Sequence, residues 1–439
     1  MKLKSLLAGL LVALLLAIPA TAQDAKPQYT VAEYNAYQAC VNDANAASKL
    51  KCFEGFEATY PQSTLLPFVY AQGLTAAAGA NNGAKAIEFA DKVTSLGDKA
   101  DVPTRFHACF LRANFFHGVF NARAANAADM ATKARSSADA CLALGGQMVK
   151  PEQATQQQFD DYMTRAKTLL NYTIGVTSAA LKDYPRAVDG FKTALVTNPG
   201  DALIRYQMGV NMLQLTPPAH MDGFWSLARA INLKVAGEAQ VRSYLKNQIV
   251  RYQGGLIQCE KETDAQVAEL LALAAAGGER PADYSIPTEA EISEVQKQIN
   301  ILTLMKGLKE GGRTAKLTWL AACGLEFPEV QGKVISAADN GGGVEVNVFI
   351  GQTEEEFEAA TTHNITAKVA DQPEAARVKK DEPVKFAGRV AAFTPEPFVL
   401  TFDKAKVDPT TIPEAEAAPA KKAPAKKAPA KRPAKRPAQ

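Results

Sequence analysis

The chain has 439 residues and a formal net charge of +3 at pH 7, and this length is sufficient for two or three domains. The small net charge hides an asymmetry, because the first 22 residues carry +2, the last 19 carry +8 and the segment between them carries −7. These values exclude a uniformly basic chain and leave an acidic body with a basic tail.

The first residues have the pattern of a secretory signal. Lys2 and Lys4 form a positive start, Leu6 to Ile18 form an apolar core, and Ala20-Thr21-Ala22 offers a cleavage site. The apolar run is shorter than the roughly 20 residues that a membrane span needs. We therefore expect a signal peptide at 1–22 and export to the periplasm or the extracellular space, as in bacterial exported proteins. No transmembrane segment is expected after cleavage.

The cysteines then enter an oxidising compartment, where disulfides form. Cys40 and Cys52 are equidistant from one polar turn, and Cys109 and Cys141 are equidistant from another. In an antiparallel helical hairpin, positions equidistant from the turn lie level with each other. Both pairs are therefore candidate disulfides across hairpins, and buried free thiols are the alternative. Cys259 and Cys323 remain as a third possible pair.

The segment from Asn171 to Asp201 has the composition of a close-packed helix pair. Small residues let two antiparallel helices approach, and a large aromatic fills the space beside them. The segment resembles a tetratricopeptide (TPR) repeat at five positions, namely Gly175, Ala187, Phe191, Ala194 and Pro199. Gly209 follows Gly175 by 34 residues, which is the period of this repeat.

Helical, Ala-rich sequence extends well beyond this one unit. Gly73 and Ala86 echo the repeat spacing one residue out of step. One hairpin cannot bury its own apolar face, so neighbouring hairpins stack into a superhelix. We therefore expect a TPR-like α-solenoid over residues 23–276.

The TPR resemblance implies a groove lined by the first helix of each pair. By position, Tyr172 and Val176 then lie in the groove of one repeat, and Tyr206 and Val210 in that of the next. These side chains are aromatic or apolar, so the carboxylate-gripping Lys and Asn of the chaperone-binding TPR proteins have no counterpart here. The expected function is a scaffold that binds a protein or peptide. The alternative is that the four side chains merely pack against the adjacent helix.

A change of pattern follows the helical region. We expect a linker at 277–287, a helical connector at 288–325 and a small β-domain at 326–410. The β-domain has five strand-like segments and a helical insert around Glu354 to Ala360, and the strand-like segments are Val330 to Ile335, Val344 to Ile350, Ile365 to Val369, Val384 to Val390 and Phe398 to Phe402. This arrangement resembles an oligonucleotide/oligosaccharide-binding (OB) barrel, with an SH3-like barrel or a small sandwich as alternatives.

Residues 411–439 form a Lys/Ala/Pro-rich tail that we expect to be disordered. Its cations are Lys421, Lys422, Lys426, Lys427, Lys431, Arg432, Lys435 and Arg436. Together with the barrel they support a second hypothesis, an adaptor that binds an anionic envelope polymer or lipid. Export argues against nucleic acid as the partner.

The catalytic inventory is thin. The sequence lacks H-E-x-x-H, G-x-S-x-G, G-x-x-x-x-G-K and C-x-x-C, and its histidines are scattered over four separate segments as His107, His117, His220 and His363. We therefore expect no enzyme, no cofactor and no metal. The overall expectation is a multidomain α plus β protein, with a TPR-like α-α superhelix, a five-stranded OB-like barrel and a basic tail.

Overall fold

The computed structural model describes residues 29–255 and 260–414. The proposed signal peptide, the basic tail cations and Cys259 lie outside the described residues. The described chain forms two compact units. The helical unit comprises 29–252 with Thr263–Ile286, and the barrel unit comprises 253–255, 260–262 and 287–414.

The helical unit contains helices joined by short turns. They are α1 (Val31–Asn42), α2 (Ala46–Thr59), α3 (Leu66–Gly79), α4 (Gly83–Ser95), α5 (Val102–Val119), α6 (Ala127–Gly145), α7 (Gln156–Ala180), α8 (Tyr184–Thr197), α9 (Ala202–Met212), α10 (His220–Asn232), α11 (Glu238–Tyr252) and α12 (Glu260–Ala275). Each helix from α1 to α10 contacts the next one along the chain, and α10 contacts α11. In addition, α3 contacts α5, α5 contacts α7 and α7 contacts α9.

Local sequence sets where these helices begin. The Thr155 hydroxyl accepts a hydrogen bond from the Gln158 N–H, and the Gln158 side chain accepts one from the Thr155 N–H, which together start α7. The Asp183 carboxylate caps α8 by accepting from the Arg186 N–H, and Pro185 occupies its first turn. These caps satisfy the free N–H groups that every helix start presents.

The α7–α8 pair shows how the unit packs. Gly175 faces the ring of Phe191 so closely that an added Cβ would lie 2.6 Å from it. Phe191, Ala187 and Ala194 have no exposed surface. Small residues on one helix thus admit the aromatic ring of the other, and the helical unit is a TPR-like superhelix, as the repeat pattern predicts.

Two disulfides join neighbouring helices of this unit. Cys40 on α1 is bonded to Cys52 on α2, with Cα atoms 5.3 Å apart. Cys109 on α5 is bonded to Cys141 on α6, with Cα atoms 5.7 Å apart. Each bond therefore crosses one helical hairpin. Cys323, in the barrel unit, is buried and is not a free thiol.

The barrel unit begins with helices and continues with strands. The helices are α13 (Glu289–Gln298), α14 (Ile301–Glu310), α15 (Gly312–Ala322) and α16 (Glu354–Ala359), and the strands are β1 (Glu326–Asp339), β2 (Val344–Phe349), β3 (Ile365–Val369), β4 (Pro383–Thr394) and β5 (Val399–Val407). The strands form a closed barrel in the order β1-β2-β3-β5-β4. The β3–β5 pair is parallel, and the β1–β4 pair that closes the barrel is antiparallel.

This closed barrel confirms the five-stranded OB-like prediction and excludes a two-sheet sandwich. β1 starts earlier and ends later than the strand predicted from the sequence, because its first half pairs with β4 and its second half with β2. Alternate residues point inward, as in Val344, Val346 and Val348 of β2, which are buried. The core is thus built from one face of each strand.

Among the described residues, none of the helices combines the length and the apolar character that crossing a bilayer would require.

Candidate partner-binding surface of the repeats

The four groove positions proposed from the sequence lie on two helices that contact each other. Tyr172 and Val176 are on α7, and Tyr206 and Val210 are on α9. All four side chains are half-buried. Tyr172 and Val176 pack against the cluster that contains Phe191, whereas Tyr206 and Val210 pack against a different cluster, around Phe224 and Leu227. Each pair therefore supports its own helix hairpin and still presents surface.

Tyr172 is held in place by a histidine from the preceding repeat. Its ring stacks on the His117 ring, with centroids 4.7 Å apart and planes at 28°. The His117 ring in turn forms a hydrogen bond of 2.9 Å from Nε2 to the Thr173 hydroxyl. Burial lowers the pKa of His117 to about 4 and raises the pKa of Tyr172. The stack is therefore neutral at pH 7 and fixes the orientation of Tyr172.

Leu203 is a candidate residue that the sequence analysis missed. It precedes Tyr206 by three positions and Val210 by seven, so the three residues form one stripe along α9. Its side chain is 47% exposed. The spacing of apolar residues at i, i+3 and i+7 was visible in the sequence, but periodicity alone does not distinguish the end of a stripe that meets solvent from one that is covered.

Tyr244 on α11 extends the surface in the direction of the chain and was also missed. Burial raises the pKa of its phenol, and the neighbouring Tyr206 raises it further, which shows that the two hydroxyl-bearing rings are close. Tyr244 follows Tyr206 by 38 residues, not by the 34 that separate Tyr172 from Tyr206. A search at the fixed repeat period therefore passes over it.

The residues assigned to the repeat framework lie at helix contacts. Gly209 is as tightly enclosed as Gly175, since an added Cβ would lie 2.9 Å from the Gly223 carbonyl oxygen and from Leu227. Pro199 follows α8, and its carbonyl oxygen accepts a hydrogen bond from Arg205 Nε at 3.0 Å. These positions determine how α8, α9 and α10 meet, and hence how the stripe on α9 is presented.

The barrel unit has a cleft of about 700 Å³ between α14 and the β2–α16–β3 connection. Leu302, Met305 and Phe349 form its apolar part, and Lys306 and Glu356 stand at its polar edge. Acidic and basic groups are mixed there, so the cleft has no single electrostatic preference. In the part of the chain that the structure describes, no group of His, Cys, Asp and Glu side chains is arranged to hold a metal ion.

Comparison with known proteins gives distant likenesses to TPR structures. No protein-family model and no curated protein matches the chain. Among solved structures, a MamA RS-1 double mutant is 14% identical, with 47% of this chain and 96% of that one covered at a TM-score of 0.30. The C-terminal part of a TPR repeat-containing protein from Cytophaga hutchinsonii is 12% identical, with coverages of 56% and 95% and a TM-score of 0.24.

The TPR2AB domain of yeast Sti1, in a structure titled as a complex with pHSP90, is 11% identical, with coverages of 56% and 95% and a TM-score of 0.15. The packing of Gly175 against Phe191, not these likenesses, makes the helical unit TPR-like. The class of protein is therefore a TPR-like helical repeat followed by a closed five-stranded barrel.

Proposed function

We propose that this protein is a non-enzymatic scaffold that binds a protein or peptide segment along α7 and α9. The observation that carries this proposal is the stripe of Leu203, Tyr206 and Val210, which begins with a large apolar side chain that is 47% exposed. Removing apolar surface from water contributes roughly 25 cal/mol per Å². An extended or helical segment of the partner would cover the stripe and gain this free energy.

Tyrosines make such a surface selective as well as adhesive. Tyr172, Tyr206 and Tyr244 each offer a broad ring and one hydroxyl at a low cost in conformational entropy. The His117 ring restrains Tyr172 before a partner arrives, and pre-ordered side chains lose less entropy on binding. A partner with apolar anchors and a few backbone or side-chain hydrogen-bond groups fits this surface.

We infer that the scaffold works outside the cytoplasm. The Cys40–Cys52 and Cys109–Cys141 bonds support this, because disulfides persist in oxidising compartments. The leader at 1–22 makes the same prediction from the sequence alone.

The test is retention of partners by the full-length chain. Envelope proteins of the native host are captured on wild-type protein and on Leu203→Asp and Tyr206→Ala variants. Val149→Asp is the matched control, because Val149 is 79% exposed and lies in the connection between α6 and α7, away from the stripe. The proposal requires a captured protein that both stripe variants lose and the control retains. Equal capture by all four proteins would refute it.

A further inference from the structure

Two arginines of the helical unit lie together where α9 meets α10. The Ser226 hydroxyl of α10 donates a hydrogen bond of 2.8 Å to the Arg205 carbonyl oxygen of α9. Arg229 follows Ser226 by three residues, so it lies about one turn further along the same face of α10. The electrostatic effect of Arg229 on Arg205 shows that the two guanidinium groups are close.

The loop after α12 forms a third side of this place. An added Cβ on Gly277 would lie 2.9 Å from the terminal nitrogen NH1 of Arg229, and Gly277 has φ of +84°. The Trp225 indole donates to the Gly278 carbonyl oxygen at 3.3 Å, which holds the loop against α10. The Arg229 guanidinium is therefore enclosed by backbone, in a space that any side chain at 277 would occupy.

Neither guanidinium is neutralised within the described residues. Arg229 NH1 is buried and has no hydrogen-bond partner there, and Arg205 Nε uses a neutral acceptor, the Pro199 carbonyl oxygen. The only acidic residue of α9 and α10 is Asp222, which pairs with Arg280 at 3.0 Å. Glu279, in the loop, forms no ion pair with either arginine.

This arrangement is electrostatically unfavourable as it stands. Burial lowers the pKa of Arg205, and the charge of Arg229 lowers it further. An arginine nevertheless stays protonated in proteins, so the repulsion between the two charges cannot be relieved by loss of a proton. A half-buried cation without a hydrogen-bonded partner costs free energy that a bound anion would recover.

We propose that Arg205 and Arg229 together bind one oxyanion, a carboxylate or a phosphate group, beside Gly277. Planar guanidinium groups present paired N–H donors that match both kinds of oxyanion. The site uses residues outside the Tyr206 and Val210 positions of the stripe, and it stands whether or not the stripe binds a protein.

The test measures anion-dependent stability of the full-length, disulfide-bonded chain. Thermal unfolding is followed by circular dichroism at 222 nm while inorganic phosphate, or in a second series acetate, replaces chloride at constant ionic strength. Wild-type protein should show a saturable rise in Tm. Arg205→Gln and Arg229→Gln should each need at least about tenfold more anion, the factor expected for one charge-assisted hydrogen bond. Arg242→Gln is the control, because Arg242 is exposed on α11 and makes only a local pair with Glu238.

A response to phosphate alone assigns the site to phosphate groups, and a response to acetate alone assigns it to carboxylates; both support the proposal. No saturable rise in either series, or an unchanged anion dependence in both variants, overturns it. A measurement on the wild-type chain covers the case of variants that do not fold. Phenylglyoxal should modify Arg205 and Arg229 more slowly at a saturating concentration of the effective anion, with Arg242 unaffected. Equal rates with and without that anion would also overturn the proposal.

Discussion

Gly175 lies directly against the ring of Phe191, and an added Cβ would come within 2.6 Å of that ring. Gly73 and Phe89 stand in the same relationship, at 2.5 Å, and each glycine precedes its phenylalanine by 16 residues. Since Cβ atoms do not approach other atoms this closely, each pair requires glycine. The same contact therefore occurs in the α3–α4 and the α7–α8 hairpins.

The first prediction is that Gly175→Ala destabilises the helical unit. The added methyl group must displace the buried Phe191 ring, and overpacking of this kind costs about 1–3 kcal/mol. Gly55→Ala is the matched control, because Gly55 is also helical and an added Cβ there meets nothing within 4 Å. The control should be neutral or slightly stabilising, by up to about 1 kcal/mol. Urea denaturation measures both, and equal midpoints for the two variants would contradict the packing described.

The second prediction concerns barrel closure at Gly332 in β1. An added Cβ would lie 2.3 Å from Val348 and 2.7 Å from the Phe349 carbonyl oxygen. Gly332→Ala should therefore lower the stability of the barrel unit by about 2 kcal/mol or more, since backbone has to move. Gly342→Ala, in the open β1–β2 turn, meets nothing within 4 Å and serves as control. Calorimetric unfolding that leaves the Gly332→Ala barrel unchanged would show that β1 does not pack as described.

The third prediction is acid destabilisation of the helical unit through His107 and His117. Burial lowers the pKa of each to about 4 from an ordinary value of 6.5. The folded state thus binds fewer protons than the unfolded state between these values. The stabilisation is complete above pH 6.5 and is lost as the pH falls towards 4. Each histidine accounts for up to about 3 kcal/mol over that range.

The measurement is the urea midpoint at pH 7 and at pH 5. His117→Gln should reduce the difference between the two midpoints. His363→Gln, in the barrel unit, controls for the removal of a histidine as such and should leave the helical transition unchanged. A wild-type midpoint that is the same at both pH values would show that neither ring is buried in its neutral form.

The fourth prediction concerns the two disulfides. Cys40–Cys52 closes 12 residues and Cys109–Cys141 closes 32, so the chain-entropy model assigns about 3 kcal/mol to the first and slightly more to the second. Cys109→Ala/Cys141→Ala should therefore lower the Tm more than Cys40→Ala/Cys52→Ala. Calorimetry of both double variants under oxidising conditions checks the order. Wild-type Tm in both would mean that the bonds contribute nothing to stability.

The α7–α8 hairpin was predictable from the sequence because its small and aromatic positions follow the repeat spacing. The α3–α4 hairpin looks out of step for a physical reason. Its capping residue, Asn82, lies nine residues after Gly73, whereas Asp183 lies eight after Gly175. Phe89 then follows its cap one residue earlier than Phe191 does, and the two shifts cancel. A pattern search that counts through the turn cannot see this compensation.

The barrel and the candidate surface were predictable to different degrees. Alternating apolar residues gave the five strands, but the parallel β3–β5 pairing depends on contacts between distant segments. On the surface, the repeat spacing placed Tyr172 and Tyr206, while the exposure of Leu203 depends on which neighbours happen to cover α9. The proximity of Tyr244 to Tyr206 likewise follows from packing between hairpins, and a fixed period does not encode it.

The most direct test of the proposed scaffold is site-specific photo-crosslinking in the native host. A benzophenone amino acid is placed at Leu203 in one full-length variant and at Val149 in another, both on exposed side chains. The scaffold account predicts a discrete protein adduct from position 203, absent from position 149 and lost when Tyr206→Ala is combined with it. Adducts that are the same at both positions, or none at 203, would contradict the account.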